Sequence, residues 1–103
     1  METNTLTNKK IIITGASSGI GKAAAINLAK KGASLILVSR REELLQEVAQ
    51  EITSLGGSVQ WYTADLSKLE QIDELTRTIL SKNETIDILI NNAGRSIRRP
   101  IEG

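Results

Sequence analysis

The sequence predicts an α/β fold: a doubly wound parallel sheet with four strands in the spatial order 3-2-1-4 in the part present, an incomplete domain. Three observations predict it. Short apolar runs alternate with longer amphipathic ones over 103 residues, in the order β-α-β-α-β-α-β. The connections are short. Three of the four apolar runs are nearly continuous rather than alternating, as in strands covered on both faces. Strand–helix–strand repetition of this kind gives parallel strands joined by right-handed crossovers. Winding outward from the first strand in both directions then sets strands 1 and 4 side by side.

The first strand is "IIIT" (11–14). The first helix is expected from Gly19 to Lys31, with Ile20, Ala24 and Leu28 on its buried face and Gly32 as its stop. "SLILV" (34–38) is the second strand. The second helix, Arg41 to Leu55, carries the stripe Leu44, Leu45, Val48, Ala49, Ile52 and Leu55. Glu42 and Glu43 open it, matched to the positive end of the helix dipole, and Gly56-Gly57 closes it. The third strand is "VQWYT" (59–63), where Trp61 and Tyr62 are expected to pack at the sheet or its edge. The third helix opens at Ser67-Lys-Leu-Glu70, a capping-box spelling, and runs Leu69, Ile72, Leu75, Ile79, Leu80. "IDILIN" (86–91) is the fourth strand, with Asp87 read as a hydrogen-bonded strand-entry residue rather than a catalyst.

Composition narrows the function classes. Thirteen basic against twelve acidic side chains leave no excess charge to attract nucleic acid or a membrane surface. Trp61 and Tyr62 have no basic groove beside them, so they are not a base-stacking platform. With neither cysteine nor histidine, disulfides and thiolate sites are excluded and no metal site is expected. The opening "METNTLTNKK" lacks the apolar core of a signal peptide, and no run approaches a membrane span. A cytoplasmic location is expected.

The stretch "KIIITGASSGIGKAAA" (10–25) puts Gly15, Gly19 and Gly21 between strand 1 and helix 1. Such a turn lets a ligand approach a helix N-terminus, where unpaired N–H groups and a partial positive charge favour an anion. Gly15 suits the sharp exit from the strand, Gly19 permits close approach of a pyrophosphate, and Gly21 lets the helix press on the sheet. Ser17 and Ser18 add hydroxyl donors that reach phosphate or cap the helix. The turn and the end of strand 4 meet at the switch point, where doubly wound sheets bind ligands. A P-loop is a poor competitor because no Gly-Lys-Ser/Thr follows.

"TGASSGIG" (14–21) resembles the T-G-x-x-x-G-x-G cofactor motif of the short-chain dehydrogenase/reductase family, "NNAG" (91–94) is similar to its second fingerprint, and "ADL" (64–66) is a third match. The resemblance covers the chain from Lys9 onward and implies a Rossmann-type fold. Residues 1–8 are then a polar N-terminal tail and 9–103 the N-terminal part of a dinucleotide-binding domain. It implies that Gly15–Gly21 hold the pyrophosphate of a nicotinamide dinucleotide, with Ile20 contributing its backbone. It implies that Asp65 accepts a hydrogen bond from the adenine amino group while Leu66 lies against the ring; the plainer reading is that Asp65 caps the following turn. Asn92, Ala93 and Gly94 would line the adenosine and ribose region. Asn91 could instead satisfy backbone groups of the neighbouring strand.

Where an NAD binder carries a carboxylate, near the end of strand 2, this chain reads Ser39-Arg40-Arg41. A guanidinium forks onto a 2′-phosphate, and cations at a helix N-terminus oppose the dipole and need another reason to be there. NADP (NADPH) is therefore expected over NAD, with Arg40 the leading contact and Ser39 assisting.

The family's Y-x-x-x-K catalytic pair, with its serine, is not in this chain. The lone tyrosine, Tyr62, is followed by "TADLS". No catalytic residue is assigned, and the chain is expected to be the cofactor-binding part of a longer, often oligomeric reductase acting on a carbonyl or alcohol. Alone it is expected to bind dinucleotide weakly and catalyse nothing, and strand 4 would be left with an open apolar edge. Arg95, Arg98 and Arg99 read as a solvated basic loop, but "NNAGRSIRRP" also resembles members that reduce fatty acyl-CoA or other lipid-like carbonyls, and both readings stand. The functional alternative is a non-catalytic NADP-binding sensor, separated from the enzyme by the presence of Y-x-x-x-K. A lyase or epimerase would carry G-x-x-G-x-x-G, which this turn does not match.

Overall fold

A computed structural model describes residues 6–17, 19–83 and 85–91. Expectations for Ser18, Asn92, Ala93, Gly94 and the arginines beyond them lie outside the described residues. The elements alternate as β1 (Lys10–Thr14), α1 (Gly19–Lys30), β2 (Ser34–Ser39), α2 (Glu42–Ser54), β3 (Ser58–Thr63), α3 (Leu69–Lys82) and β4 (Ile88–Asn91). The sheet order is β3-β2-β1-β4, with every pair parallel. Element bounds differ from the sequence reading by one or two residues at most ends. No helix among the described residues is long and apolar enough to cross a membrane.

Strand alternation divides the sheet into two unequal faces. Ile11, Ile13, Leu35 and Leu37 point to one side and are buried with Leu45, Val48 and Ile52 of α2 and Ala25 and Ala29 of α1. Val59, Trp61, Ile90 and Leu6 pack on the rim of this core. Leu6 is tied down further by its N–H, which donates to the Lys31 carbonyl at 2.9 Å. The other face is more polar, and α3 meets it at its C-terminal end through Ile79, Lys82 and the adjoining Asn83. Ile36 and Val38 are buried there, beside a network centred on Asn83. Asn83 Oδ1 accepts from Lys10 Nζ (3.0 Å) and Gln60 Nε2 (3.1 Å), and Asn83 Nδ2 donates to the Ile79 carbonyl (2.9 Å).

The helices differ from expectation in their faces more than in their limits. In α1 the buried residues are Gly21, Ala25 and Ala29, one position beyond the expected Ile20, Ala24 and Leu28, and Ile20 is 79% exposed. Small side chains at four-residue intervals let the helix lie close on the sheet, so the larger residues flank the contact. Leu44 is half-buried and Leu55 exposed in the α2 stripe, whose other four members are buried. In α3 only Ile79 is buried, while Leu69 and Leu80 face outward. The capping box is not made. The helix starts one residue later than the box requires, so Lys68 occupies the N-cap without a side-chain bond, while the Ser67 hydroxyl donates to Asp65.

The two edges of the sheet are unlike. β3 is intermediate to exposed along its length, which explains its broken apolar pattern. β4, on the other edge, carries Ile88 and Leu89 at 42% and 38% exposure. Asp87 anchors its entry: Lys10 N–H donates to Asp87 Oδ2 and Asp87 N–H to the Lys10 carbonyl, both at 2.9 Å.

Candidate functional site

The parallel strands end together, and the chain departures from β1, β2 and β3 build one mouth there. Thr14 closes β1 in register with Asn91 of β4. Its hydroxyl donates to Asn91 Oδ1 at 2.9 Å, so the Asn91 side chain braces the neighbouring strand. This joins the two strands at the switch point, directly under the glycine turn.

Gly15 then turns the chain back, its N–H donating to the Val38 carbonyl of β2 at 2.8 Å. Its φ is +66° and that of Gly19 is +61°, the left-handed region that other residues enter only at a cost. Crowding is not the reason at Gly19: a Cβ placed there would meet no atom within 4 Å. It would occupy open space at the start of α1. The first turn of α1 contains no acidic residue, so its N–H groups and partial positive charge are not offset by its own side chains. Gly21 is buried. Within the turn Ala16 and Ser17 are buried, whereas Gly19 and Ile20 are exposed.

Ser39 and Arg40 leave β2 beside this turn. Ser39 Oγ donates to Ser17 Oγ at 2.9 Å and accepts from the Arg41 N–H at 3.2 Å. Arg40 is exposed. From β3, Ala64 is buried and its N–H donates to the Ser39 carbonyl at 3.1 Å, which sets Asp65 next in line across the mouth. Asp65 Oδ1 accepts from the Ser67 hydroxyl at 2.6 Å and from the Ser67 N–H at 3.0 Å. These bonds hold its carboxyl below the usual value, with smaller help from the Arg40 and Lys68 charges. Arg40 and Asp65 thus share one electrostatic neighbourhood. Asp65 does cap the following turn; only Oδ1 is engaged in doing so. Leu66 beside it is half-buried.

Two contacts here had no sequence signal. The Ser17–Ser39 bond joins residues 22 apart, and neither serine announces the other. Gln71 reaches back from α3 to accept the Asp65 N–H at 2.7 Å, a role ordinarily sought in a serine or aspartate at the cap. The Tyr62 hydroxyl donates to Gln60 Oε1 at 3.0 Å, and Lys82 lies over the ring face, 6.0 Å from its centroid. A groove of about 530 Å³ between α2 and β3, floored by Trp61, contains none of the mouth residues and no ionisable wall, so the chemistry favours the mouth.

A family model described as short chain dehydrogenase matches residues 9–103. A fatty acyl-CoA reductase of Mycobacterium tuberculosis is 50% identical over 93% of this chain and 33% of its own length. A fatty acyl-CoA reductase of Acinetobacter baylyi is 45% identical over 90% of this chain and 32% of its own. The chain therefore spans about a third of the length of these curated relatives. Among solved structures, a metagenomic short-chain oxidoreductase in complex with NADP superposes with a TM-score of 0.83 at 36% identity, over 85% of this chain and 40% of the other. With its sheet order, its glycine turn and this family match all in agreement, the chain belongs to the short-chain dehydrogenase family, whose members are oxidoreductases.

Proposed function

We propose that this chain is the cofactor-binding part of an NADP-dependent oxidoreductase that transfers hydride between nicotinamide and a carbonyl or alcohol. The residues fit a dinucleotide. The open space at Gly19 and the uncompensated N-terminus of α1 suit a diphosphate. In this reading Gly15, Ser17, Gly19, Ile20 and Gly21 hold the diphosphate, together with Ser18. Asp65 offers its carboxylate to the adenine amino group and Leu66 packs on the ring, with Asn92, Ala93 and Gly94 beyond. The bound nicotinamide supplies the hydride; the residues of this chain bind and orient it. Proton transfer belongs to residues outside this chain.

One observation carries the preference for NADP. The end of β2 presents Ser39 and an exposed Arg40 where an NAD binder places a carboxylate, and Asp65, in the same mouth, is engaged with Ser67. The NADP complex of the metagenomic oxidoreductase supports the same reading. Replacing Arg40 with alanine removes a charge-assisted contact of about 1.5–3 kcal/mol, so NADPH affinity is expected to fall by roughly 10- to 100-fold while NADH affinity hardly changes. Calorimetric titration of both dinucleotides into the purified protein tests this; unchanged discrimination in Arg40→Ala would remove the NADP preference. A cytoplasmic location belongs to the same reading.

Fatty acyl-CoA or a related lipid-like carbonyl is the substrate class supported by the two named reductases. Arg95, Arg98 and Arg99 are available in the sequence to meet the CoA phosphates. Turnover of acyl-CoA compared with small ketones decides between the classes. The expected assembly is a homo-oligomer.

A further inference from the structure

We propose that Ser39 is a positioning residue, whose hydroxyl pins the glycine turn in its phosphate-binding shape by holding Ser17. The inference rests on the dinucleotide reading above and gives Ser39 this task in place of the assisting contact with the 2′-phosphate expected from the sequence.

The turn between β1 and α1 contains two glycines in left-handed conformation, and glycine has little conformational preference of its own. Something must therefore select one shape for the turn if it is to meet a ligand without an ordering cost. Ser39 is suited to do so because it is anchored. It is the last residue of β2, paired with Thr63, and its carbonyl accepts the Ala64 N–H at 3.1 Å. From that strand end its Oγ lies 2.9 Å from Ser17 Oγ, in the middle of the turn, and Ser17 is only 7% exposed.

The direction of the bonds adds a second consequence. A backbone amide can only donate, so the Arg41 N–H donates to Ser39 Oγ at 3.2 Å. Ser39 in turn donates to Ser17, which leaves the Ser17 proton available to an acceptor in the mouth. The chain runs Arg41 N–H to Ser39 O–H to Ser17 O–H, and successive donors of this kind polarise one another. It starts at the N-cap of α2 and ends in the turn between β1 and α1.

The diphosphate is common to NADH and NADPH, so this role predicts a signature different from that of Arg40. Ser39→Ala is expected to weaken both dinucleotides by about the same factor, roughly fivefold, the size of one net hydrogen bond. The NADPH-to-NADH ratio should be unchanged. Ser17→Ala removes the same bond together with Ser17's own donation to the diphosphate, so it should cost more than Ser39→Ala, and the double variant should lose no more than Ser17→Ala alone. Ser39→Thr, which keeps the hydroxyl on a strand residue, should restore affinity. Calorimetric titration of NADH and NADPH into wild-type protein and these four variants makes the test, with thermal melts run alongside to confirm folding.

Selective loss of NADPH affinity in Ser39→Ala would overturn the proposal, because it would make Ser39 a direct 2′-phosphate ligand. Multiplicative losses in the double variant would overturn it too, as would failure of Ser39→Thr to rescue. A wild-type protein that binds neither dinucleotide would remove the cofactor reading itself, an outcome distinct from any difference between variants.

Discussion

Two glycines of this chain should behave oppositely when given a methyl group, and the contrast tests where the ligand goes. At Gly19 the φ of +61° makes alanine costly by about 1–2 kcal/mol, but the added Cβ meets no atom within 4 Å. At Gly57 the difficulty is contact. A Cβ there would stand 2.7 Å from Ile52 Cγ2 and 3.1 Å from the Ile52 carbonyl oxygen. Ile52 is fully buried and branched at Cβ, so it has little room to yield, and overpacking of this kind costs about 1–3 kcal/mol. Urea unfolding with unchanged m values should therefore show comparable losses of stability in Gly19→Ala and Gly57→Ala. Their affinities for NADPH should diverge. The Gly19 methyl projects into the space assigned to the diphosphate, and keeping the phosphate off even one amide donor forfeits a bond to a charged group of about 1.5–3 kcal/mol, so affinity should fall by at least about tenfold. Gly57→Ala, at the far end of α2, should bind NADPH as the wild type does. Wild-type affinity in Gly19→Ala, with the stability loss present, would refute the placement of the diphosphate at this turn.

Two further outcomes follow from the hydrogen-bond network. Asp65 has a folded-state pKa below its usual 3.8, so its contribution to stability is present above about pH 4 and disappears as the pH falls through the folded-state value. Chemical denaturation of wild type and Asp65→Asn between about pH 6 and pH 2.5 should show the wild-type advantage shrinking with acid; a constant or growing difference would contradict the Ser67 interaction. Asn83→Ala leaves Gln60 and the Lys10 ammonium short of a partner beneath α3, at an expected loss of about 1–3 kcal/mol. An unchanged urea midpoint would show that water replaces Asn83 there without penalty.

Local sequence was legible wherever one residue's own preference decided the outcome. The runs became β1, β2, β3 and β4: nearly continuous Ile, Leu and Val in three of them, and β-branched and aromatic residues in β3, favour strands. Gly15 took the positive φ that its sharp exit from β1 called for; the positive φ of Gly19, read from the sequence only as a place of close approach, was supplied by the structure. Asp87 was readable at the entry to β4 for a similar reason, being a polar residue that an apolar strand can accommodate only through hydrogen bonds.

The helix faces were less legible. Periodicity shows that α1 has an apolar side, but it favours large residues as the buried ones, and the structure buries Gly21, Ala25 and Ala29 instead. Closeness of approach to β1 and β2 decided that, and closeness is a property of the packed pair. In α3 the stripe was real, yet only Ile79 is buried, because the face of the sheet it meets holds the polar Asn83 network.

The sequence by itself determined the order of elements, the glycine turn and the absence of an acid at the end of β2. Each follows from backbone preference or residue identity within a few positions along the chain. Only the tertiary structure decided that Ser39 would reach Ser17, that Ser67 would serve Asp65 instead of capping α3, and that Arg40 and Asp65 would share one mouth. Hydroxyls and carboxylates have many possible partners. Which one they take is settled by the parallel register that brings the ends of β1, β2 and β3 together, and by the cost of burying a polar group unpaired.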